Sequence, residues 1–267
     1  MTASSFREAG WVWEGLATVA IDPTLYGVGE GYRWFGVPGV NYMFHPNNEI
    51  AFGKLAEAPR IVADISKWYF ERLRSEGGGE NGFVARHDPR PERIRDEAEN
   101  LSRLSRQFPN IVGAMIDDAH GMFGHESYAA GGPAAVREAL HRHNPDLKLW
   151  VVVYANELDK PEWDLLKPHM DVVSLWLWNC AEIPNLAEHV AHCRRQFPDQ
   201  EIIVGSYLHD YPSRTHMPLD LLAQQYETML RLWEQGEIAG YSIIGGFFID
   251  QAVAQAEWVR GFLAEHA

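Results

Sequence analysis

The sequence is poor in the features that mark disulfide-rich, zinc-binding or membrane-spanning proteins. Only two of its 267 residues are cysteine, Cys180 and Cys193, and both lie in one predicted strand–helix segment. This number and spacing argue against a disulfide framework and a paired-cysteine zinc site. No stretch is long and apolar enough to cross a bilayer, and the first residues lack the basic patch and apolar run of a secretory signal. A cytoplasmic location is therefore expected.

Positive charge is also scarce. Lys and Arg number 23 against 37 Asp and Glu, so the formal net charge is −14. Such a chain repels nucleic acid and anionic membranes at long range, and neither is expected as a partner. A small-molecule or oligosaccharide substrate is expected instead, and the sequence gives no indication of an oligomeric state.

Common catalytic signatures are missing as well. The sequence contains no Gly-x-Ser-x-Gly nucleophile motif, and Cys180 has no credible histidine partner. The glycine-rich segment 27–31 has the wrong spacing for a dinucleotide-binding fingerprint. These absences argue against a serine or cysteine nucleophile and against a nucleotide cofactor.

Short apolar runs alternate with helical patterns along the whole chain. The later runs are continuous in Val, Ile and Leu, which is typical of strands buried on both faces. Strands that alternate with helices predict parallel crossovers, and eight strands in a chain of this length favour closure. We therefore predict an α/β fold, a single-domain (β/α)8 TIM barrel over residues 1–267, with a doubly wound open sheet as the alternative. The predicted strands cover residues 11–17, 40–44, 60–65, 111–117, 149–154, 172–178, 202–208 and 241–248.

Between the strands, apolar residues recur at helical spacing. Leu222, Tyr226, Met229 and Trp233 fall on one helix face, and Gly236 is a suitable stop for that helix. Two further faces are formed by Ile94, Ala98, Leu101 and Phe108, and by Leu186, Val190, Cys193 and Phe197.

Three segments repeat one pattern, in which two β-branched residues precede a glycine and an aspartate follows five residues later. Equal offsets predict equal height at the C-terminal rim of the barrel, where enzymes of this fold place their chemistry. Aspartate is also a common helix N-cap after a strand, so capping is the alternative role for each. The three glycine and aspartate pairs are Gly113 and Asp118, Gly205 and Asp210, and Gly245 and Asp250.

Four carboxylates at the predicted strand ends are candidate catalytic residues. Asp117 and Asp118 follow the fourth strand, and alternation of side chains predicts that one of them faces the barrel mouth. Glu157 follows the fifth strand, and Asp210 follows the seventh. Glycosidic cleavage needs two carboxyl groups, one protonated and one ionised. We favour an aspartate of the fourth strand with Glu157, because adjoining strand ends lie about 5–10 Å apart. Asp210 is the next candidate for the pair.

Other polar and aromatic side chains at the strand ends are candidates for binding a sugar. A pyranose ring presents apolar faces that stack on Trp or Tyr and hydroxyl groups that bond to Asp, Asn and His. Trp176 and Trp178 lie two residues apart and share a strand face, with core packing as the alternative. The full set of binding candidates is His45, Asp64, His120, Tyr154, Asn156, Trp176, Trp178, Tyr207, His209 and Asp250.

The later half of the sequence carries a family likeness in three runs: Ile116-Asp117-Asp118, Trp176-Leu177-Trp178 and 205–211. In these runs, from the fourth strand to the eighth, the chain resembles uncharacterised bacterial barrel proteins of the glycoside-hydrolase type. The Asp-x-x-Asp-x-Asp-x-Glu run of chitinase-like barrels is absent, and Asn156-Glu157 follows the fifth strand rather than the fourth. The resemblance implies glycosidase activity but carries over no catalytic residue.

Two other functions remain open at this point. A divalent metal ion bound by histidine and carboxylate ligands would make the chain a sugar isomerase, epimerase or lyase. A barrel without catalytic groups would only bind sugar. No cofactor is expected under the hydrolase hypothesis, and the candidate metal ligands under the second are His45, His120, His125, His209, Asp118, Asp210 and Glu157.

Overall fold

Eight parallel strands close into a barrel, because the first strand pairs with the last as well as with the second. The computed structural model describes residues 5–15, 24–66, 68–72, 83–87, 91–120 and 132–267. Around the barrel the order is β1, β12, β9, β8, β7, β6, β3 and β2. The strands are β1 Gly10–Glu14, β2 Gly39–Tyr42, β3 Arg60–Asp64, β4 Trp68–Arg72, β5 Phe83–His87, β6 Ile111–Ile116, β7 Lys148–Tyr154, β8 Val172–Trp176, β9 Glu201–Tyr207, β10 His209–Asp210, β11 Thr215–His216 and β12 Gly240–Ile244.

Helices follow the barrel strands and cover the outside of the barrel. The predicted face of the helix Leu219–Glu234 is confirmed, since Leu222, Tyr226 and Met229 are buried. Gly236, just beyond its end, has a φ of 75°, in the left-handed region that glycine adopts without strain. The α-helices within the described ranges are α1 Gly31–Phe35, α2 Glu49–Lys54, α3 Pro91–Ser105, α4 Gly132–His141, α5 Trp163–Leu166, α6 Leu186–Gln196, α7 Leu219–Glu234 and α8 Val253–Glu265.

The predicted barrel is confirmed, and hydrogen bonding between β1 and β12 excludes the open sheet. Each of the eight predicted strands overlaps one barrel strand. The prediction for 241–248 was too long, because β12 ends at Ile244 and Gly246–Phe248 forms a 3-10 turn. Two short antiparallel pairs, β4 with β5 and β10 with β11, were not predicted. The candidate metal ligand His125 lies outside the described residues. None of the helices within the described residues combines the length and apolar character that crossing a membrane requires.

Two glycines of the repeated pattern lie against neighbouring strands too closely for a side chain. A Cβ atom at Gly205 would lie 2.0 Å from the ring of Trp176, and one at Gly113 would lie 2.5 Å from the backbone oxygen of Lys148 and 3.3 Å from the ring of Trp150. Gly245 differs, because it lies beyond β12 and faces Ile243 and Leu208. The glycine of the repeat therefore serves tryptophan packing at Gly205 and close approach of a neighbouring strand's backbone at Gly113.

A glutamate at the end of β1 is buried against the first helix. The backbone N–H of Tyr32 donates to Glu14 Oε1 at 2.9 Å, and the side chain is 2% exposed. Burial raises the pKa of Glu14 from 4.5 to about 7, although hydrogen bonds from the backbone of Tyr32, Gly29 and Gly31 oppose the shift. The folded protein therefore holds a proton that the unfolded chain loses at lower pH.

This raised pKa predicts that stability falls as the pH rises from about 4.5 to 7. In that window the folded state binds more protons at Glu14 than the unfolded state, so the free energy of unfolding decreases with pH. The Glu14 contribution to this decrease is about 3 kcal/mol. Glu14→Gln stays neutral and should lose that part of the pH dependence in urea denaturation measured at several pH values.

Glu57→Gln is the matched control, since it also removes one negative charge, at a side chain that is 82% exposed beside Arg33. Its unfolding free energy should follow the wild-type pH dependence. Identical pH profiles for wild type and Glu14→Gln would show that Glu14 carries no proton into the folded state.

Candidate active site

A cavity of about 380 Å³ opens where β6, β7 and β8 end. These three strands are neighbours in the barrel, so the residues that follow them converge. The volume falls in the range of small-molecule sites, and the position is the C-terminal face that barrel enzymes use. The cavity is lined by Asp118, His120, Tyr154, Asn156, Glu157 and Trp178.

The two aspartates after β6 take different positions. Asp117 is buried, and its Oδ1 accepts a hydrogen bond from the backbone N–H of Asp118 at 3.0 Å. Asp118 has a φ of 44°, a left-handed conformation that is unusual outside glycine. This turn breaks the alternation of the strand and lets the Asp118 side chain line the cavity. Of the two neighbours, Asp118 is the one that reaches the opening.

Tyr154 holds the Asp118 carboxyl group. Its hydroxyl donates to Asp118 Oδ1 at 2.8 Å. Burial raises the pKa of Asp118, and the hydrogen bond from Tyr154 offsets part of that rise. Burial and the nearby groups Tyr207, Asp118 and Asp117 raise the pKa of Tyr154 well above its ordinary value. The phenol therefore stays protonated and acts as the donor of this hydrogen bond.

Glu157 is the second carboxyl group of the cavity. It lies in the 3-10 turn Ala155–Glu157 directly after β7 and is partly exposed. Burial raises the pKa of its side chain, His120 opposes the rise, and the charge of Asp118 adds to it. Two carboxyl groups that influence each other's ionisation in this way tend to share a proton unequally.

Trp178 presents an aromatic face at the edge of the cavity. Its side chain is 49% exposed and stacks on Tyr211, with ring centroids 5.2 Å apart and ring planes 9° apart. Tyr154 and Tyr207 meet the ring edge-on, at 6.0 and 6.4 Å. Trp176 is only 1% exposed, and its indole N–H donates to Ser174 Oγ inside the barrel. The predicted sugar-binding role therefore does not suit Trp176, which is a core residue.

Asp210 and Asp250 do not line the cavity. Asp210 accepts hydrogen bonds from the backbone N–H groups of Cys180 at 3.3 Å and Ser213 at 3.1 Å. Burial raises the pKa of Asp210, but its hydrogen bonds with Ser213 and Cys180 outweigh that effect and lower it. Asp250 accepts from the backbone N–H of Leu25 at 2.7 Å. Both side chains fasten loops, which conflicts with the catalytic role predicted for Asp210 and the binding role predicted for Asp250.

Asp64 is linked to the site through Ser66. It is fully buried at the end of β3 and accepts hydrogen bonds from the backbone N–H of Ser66 at 2.7 Å and of Phe44 at 3.2 Å. The Ser66 hydroxyl also donates to Asp64 and accepts from the backbone N–H of Asp117. The structure thus places Asp64 behind the cavity, where it supports the backbone of the aspartate pair.

The candidate histidines are dispersed. His45 stacks on Tyr42, with ring centroids 5.7 Å apart, and His209 stacks on Phe248 at 5.3 Å. Of the binding candidates His45, His120 and His209, only His120 is among the residues that line the cavity. Within the described ranges, no three His, Cys, Asp or Glu side chains converge closely enough to hold a metal ion.

Two residues of this site were not among the sequence candidates. Ser66 links Asp64 to Asp117, and Tyr211 supports Trp178. A signal existed for both: Ser66 follows Asp64 at the two-residue spacing of an Asx turn, and Tyr211 ends the run 205–211.

Solved structures with the same architecture include several glycoside hydrolases. A β-D-glucuronidase from Dictyoglomus thermophilum matches 98% of this chain with a TM-score of 0.57 at 11% identity, and the chain spans about half of that protein, 51%. A family 18 chitinase from Crocus vernus matches over 95% of this chain and 99% of its own, with a TM-score of 0.55 at 10% identity. The glycoside hydrolase domain of PgaB from Bordetella bronchiseptica matches over 94% and 97%, with a TM-score of 0.53 at 13% identity.

At these identities the likeness establishes the fold, an eight-stranded parallel barrel of the kind that glycoside hydrolases use. No protein-family model and no curated protein sequence matches the chain.

Proposed function

We propose that this protein hydrolyses a glycosidic bond, with Asp118 and Glu157 as its pair of catalytic carboxyl groups. The observation that carries the proposal is that these two groups, from neighbouring strands, line one cavity beside the exposed ring of Trp178. Paired carboxyl groups and an aromatic face are the elements that most glycosidases combine. No metal or organic cofactor takes part in this reaction.

Asp118 is assigned the role of general acid. It is the more deeply buried of the two, and burial favours its neutral form. As the bond between the anomeric carbon and the leaving oxygen breaks, Asp118 gives its proton to that oxygen. The sugar leaves with a hydroxyl group, and Asp118 is left as a carboxylate beside the Tyr154 hydroxyl.

Glu157 is assigned the role of the ionised carboxylate. Its greater exposure and the nearby His120 favour the charged form relative to Asp118. It either removes a proton from the attacking water or bonds to the anomeric carbon first, in an ester that water then cleaves. In both cases one water molecule is consumed and one glycosidic bond is lost.

The remaining cavity residues are assigned to substrate binding. The exposed face of Trp178 suits the apolar C–H face of a pyranose ring, and Asn156 and His120 supply hydrogen-bonding groups for its hydroxyls. A small glycoside or an oligosaccharide is the proposed substrate. The described structural neighbours support this class, because they include a glucuronidase, a chitinase and a glycoside hydrolase domain.

The proposal is tested with a panel of nitrophenyl glycosides and of oligosaccharides, assayed for release of nitrophenol and of reducing sugar. We expect turnover of at least one member of the panel, with the same rate after treatment with EDTA. Turnover that EDTA abolishes would favour the metal-dependent alternative. Sugar binding by calorimetry without any turnover would favour a non-catalytic barrel.

A further inference from the structure

The contact between Tyr154 and Asp118 determines which oxygen of the carboxyl group can carry a proton. Asp118 Oδ1 lies 2.8 Å from the Tyr154 hydroxyl and accepts its hydrogen. A neutral carboxyl group has one O–H, and the oxygen that accepts from a phenol is best suited to be the unprotonated one. The acidic proton of Asp118 therefore belongs on Oδ2.

The direction of this hydrogen bond is fixed by the surroundings of Tyr154. The phenol faces Asp117 and Asp118 after β6, and Tyr207 at the end of β9. These groups and burial keep the phenol protonated, so its hydrogen is available for donation to Asp118 Oδ1. The buried Tyr207 lies near enough for its phenol and that of Tyr154 to influence each other's pKa.

The position of Asp118 is fixed as well. Its backbone N–H is bonded to Asp117 Oδ1, and its left-handed φ of 44° is a conformation that the surrounding structure must maintain. The other titratable groups of the cavity, Glu157 and His120, lie after β7 and β6. A carboxyl group held at both its backbone and one of its oxygens has little freedom to turn.

We propose that Tyr154 is a positioning residue for the general acid, an inference that rests on the proposed function: its phenol occupies one oxygen of Asp118 and keeps the acidic proton on the other, towards the glycosidic oxygen. The sequence had placed Tyr154 among the sugar-binding residues. In the structure its hydroxyl donates to Asp118 instead, and contact with the sugar is assigned to Trp178 and Asn156.

Tyr154→Phe tests this role. We expect kcat to fall about 10-fold to 100-fold, the cost of a misplaced catalytic group, with KM changed by less than about 3-fold. The hydrogen bond from Tyr154 lowers the pKa of Asp118, so its loss raises that pKa. The alkaline limb of the pH profile, where the acid loses its proton, should therefore move to higher pH. A purely structural defect would lower the rate without moving this limb upwards.

Tyr211→Phe is the matched control, because it removes a phenol hydroxyl from the same aromatic cluster, where Tyr211 stacks on Trp178. Its alkaline limb should stay at the wild-type position. An unmoved or lowered limb in Tyr154→Phe would overturn the proposal.

A direct titration separates this inference from the proposed function. The side-chain carboxyl carbon of Asp118 can be followed by ¹³C NMR in protein labelled at aspartate and assigned by its absence in Asp118→Asn. The pKa of Asp118 should rise in Tyr154→Phe and fall when 3-fluorotyrosine, a stronger donor of the same shape, replaces Tyr154. If the wild type cleaves no glycoside, the proposed function fails, while unchanged titrations would overturn the role of Tyr154.

Discussion

Asp118→Asn is expected to lower kcat about 1,000-fold on substrates whose leaving group is a sugar, with KM nearly unchanged. The amide keeps the shape and still accepts the hydrogen bond from Tyr154, but it has no proton to give to the leaving oxygen. The loss should be smaller for a nitrophenyl leaving group, because nitrophenolate departs without protonation. The measurement is kcat for a nitrophenyl glycoside and for an oligosaccharide of the same sugar.

Asp210→Asn is the matched control for this variant. Asp210 ties the backbone N–H groups of Cys180 and Ser213 outside the cavity, so its amide variant should lose stability and keep its rate. If Asp118→Asn keeps wild-type turnover and only Asp210→Asn loses rate, the catalytic acid is Asp210 rather than Asp118.

Glu157→Gln is expected to lower kcat by at least about 100-fold and to remove the acidic limb of the pH profile. Glu157 must be ionised to act as base or nucleophile, so wild-type activity falls as the pH drops through its pKa. Burial raises that pKa, which places the limb above the ordinary range of glutamate. Sodium azide should restore part of the turnover, because a small anion can enter the space that the carboxylate leaves.

Asp159→Asn tests whether this effect is specific to the cavity. Asp159 lies two residues after Glu157 and pairs with His192 on the exposed surface. Its amide variant should retain the rate and the acidic limb. A wild-type pH profile in Glu157→Gln would remove this residue from the mechanism.

The barrel was predictable because its strands are buried on both faces and carry an apolar signal along their length. β7, β8 and β9 each contain a run of Val or Ile, at residues 151–153, 172–173 and 202–204, and all three strands were found. The β4 and β5 pair lies outside the barrel, so this core signal did not reveal it.

The candidate site was predicted in part. Asp118 and Glu157 line one cavity, as the adjacency of their strands predicted. Asp210 was grouped with them but bonds backbone amides instead, since an aspartate in that role has the same sequence pattern as one that faces a cavity. Trp176 and Trp178 were predicted to share a strand face, but β8 ends at Trp176. The first ring fills the barrel, and the second lies beyond the strand at the rim.

The choice between Asp117 and Asp118 lay beyond sequence reasoning. Regular alternation leaves both assignments open, and the positive φ of Asp118 that resolves them depends on tertiary contacts. Those contacts come from Ser66 through the backbone of Asp117, and from Tyr154 through the side chain of Asp118.

The claim that two carboxyl groups share one chemical task is tested most directly by kcat/KM of Asp118→Asn, Glu157→Gln and the double variant on one substrate. Groups that act on the same bond are strongly non-additive, so the double variant should be about as impaired as the worse single variant. Wild-type kcat/KM in all three proteins would show that the cavity carries no catalysis.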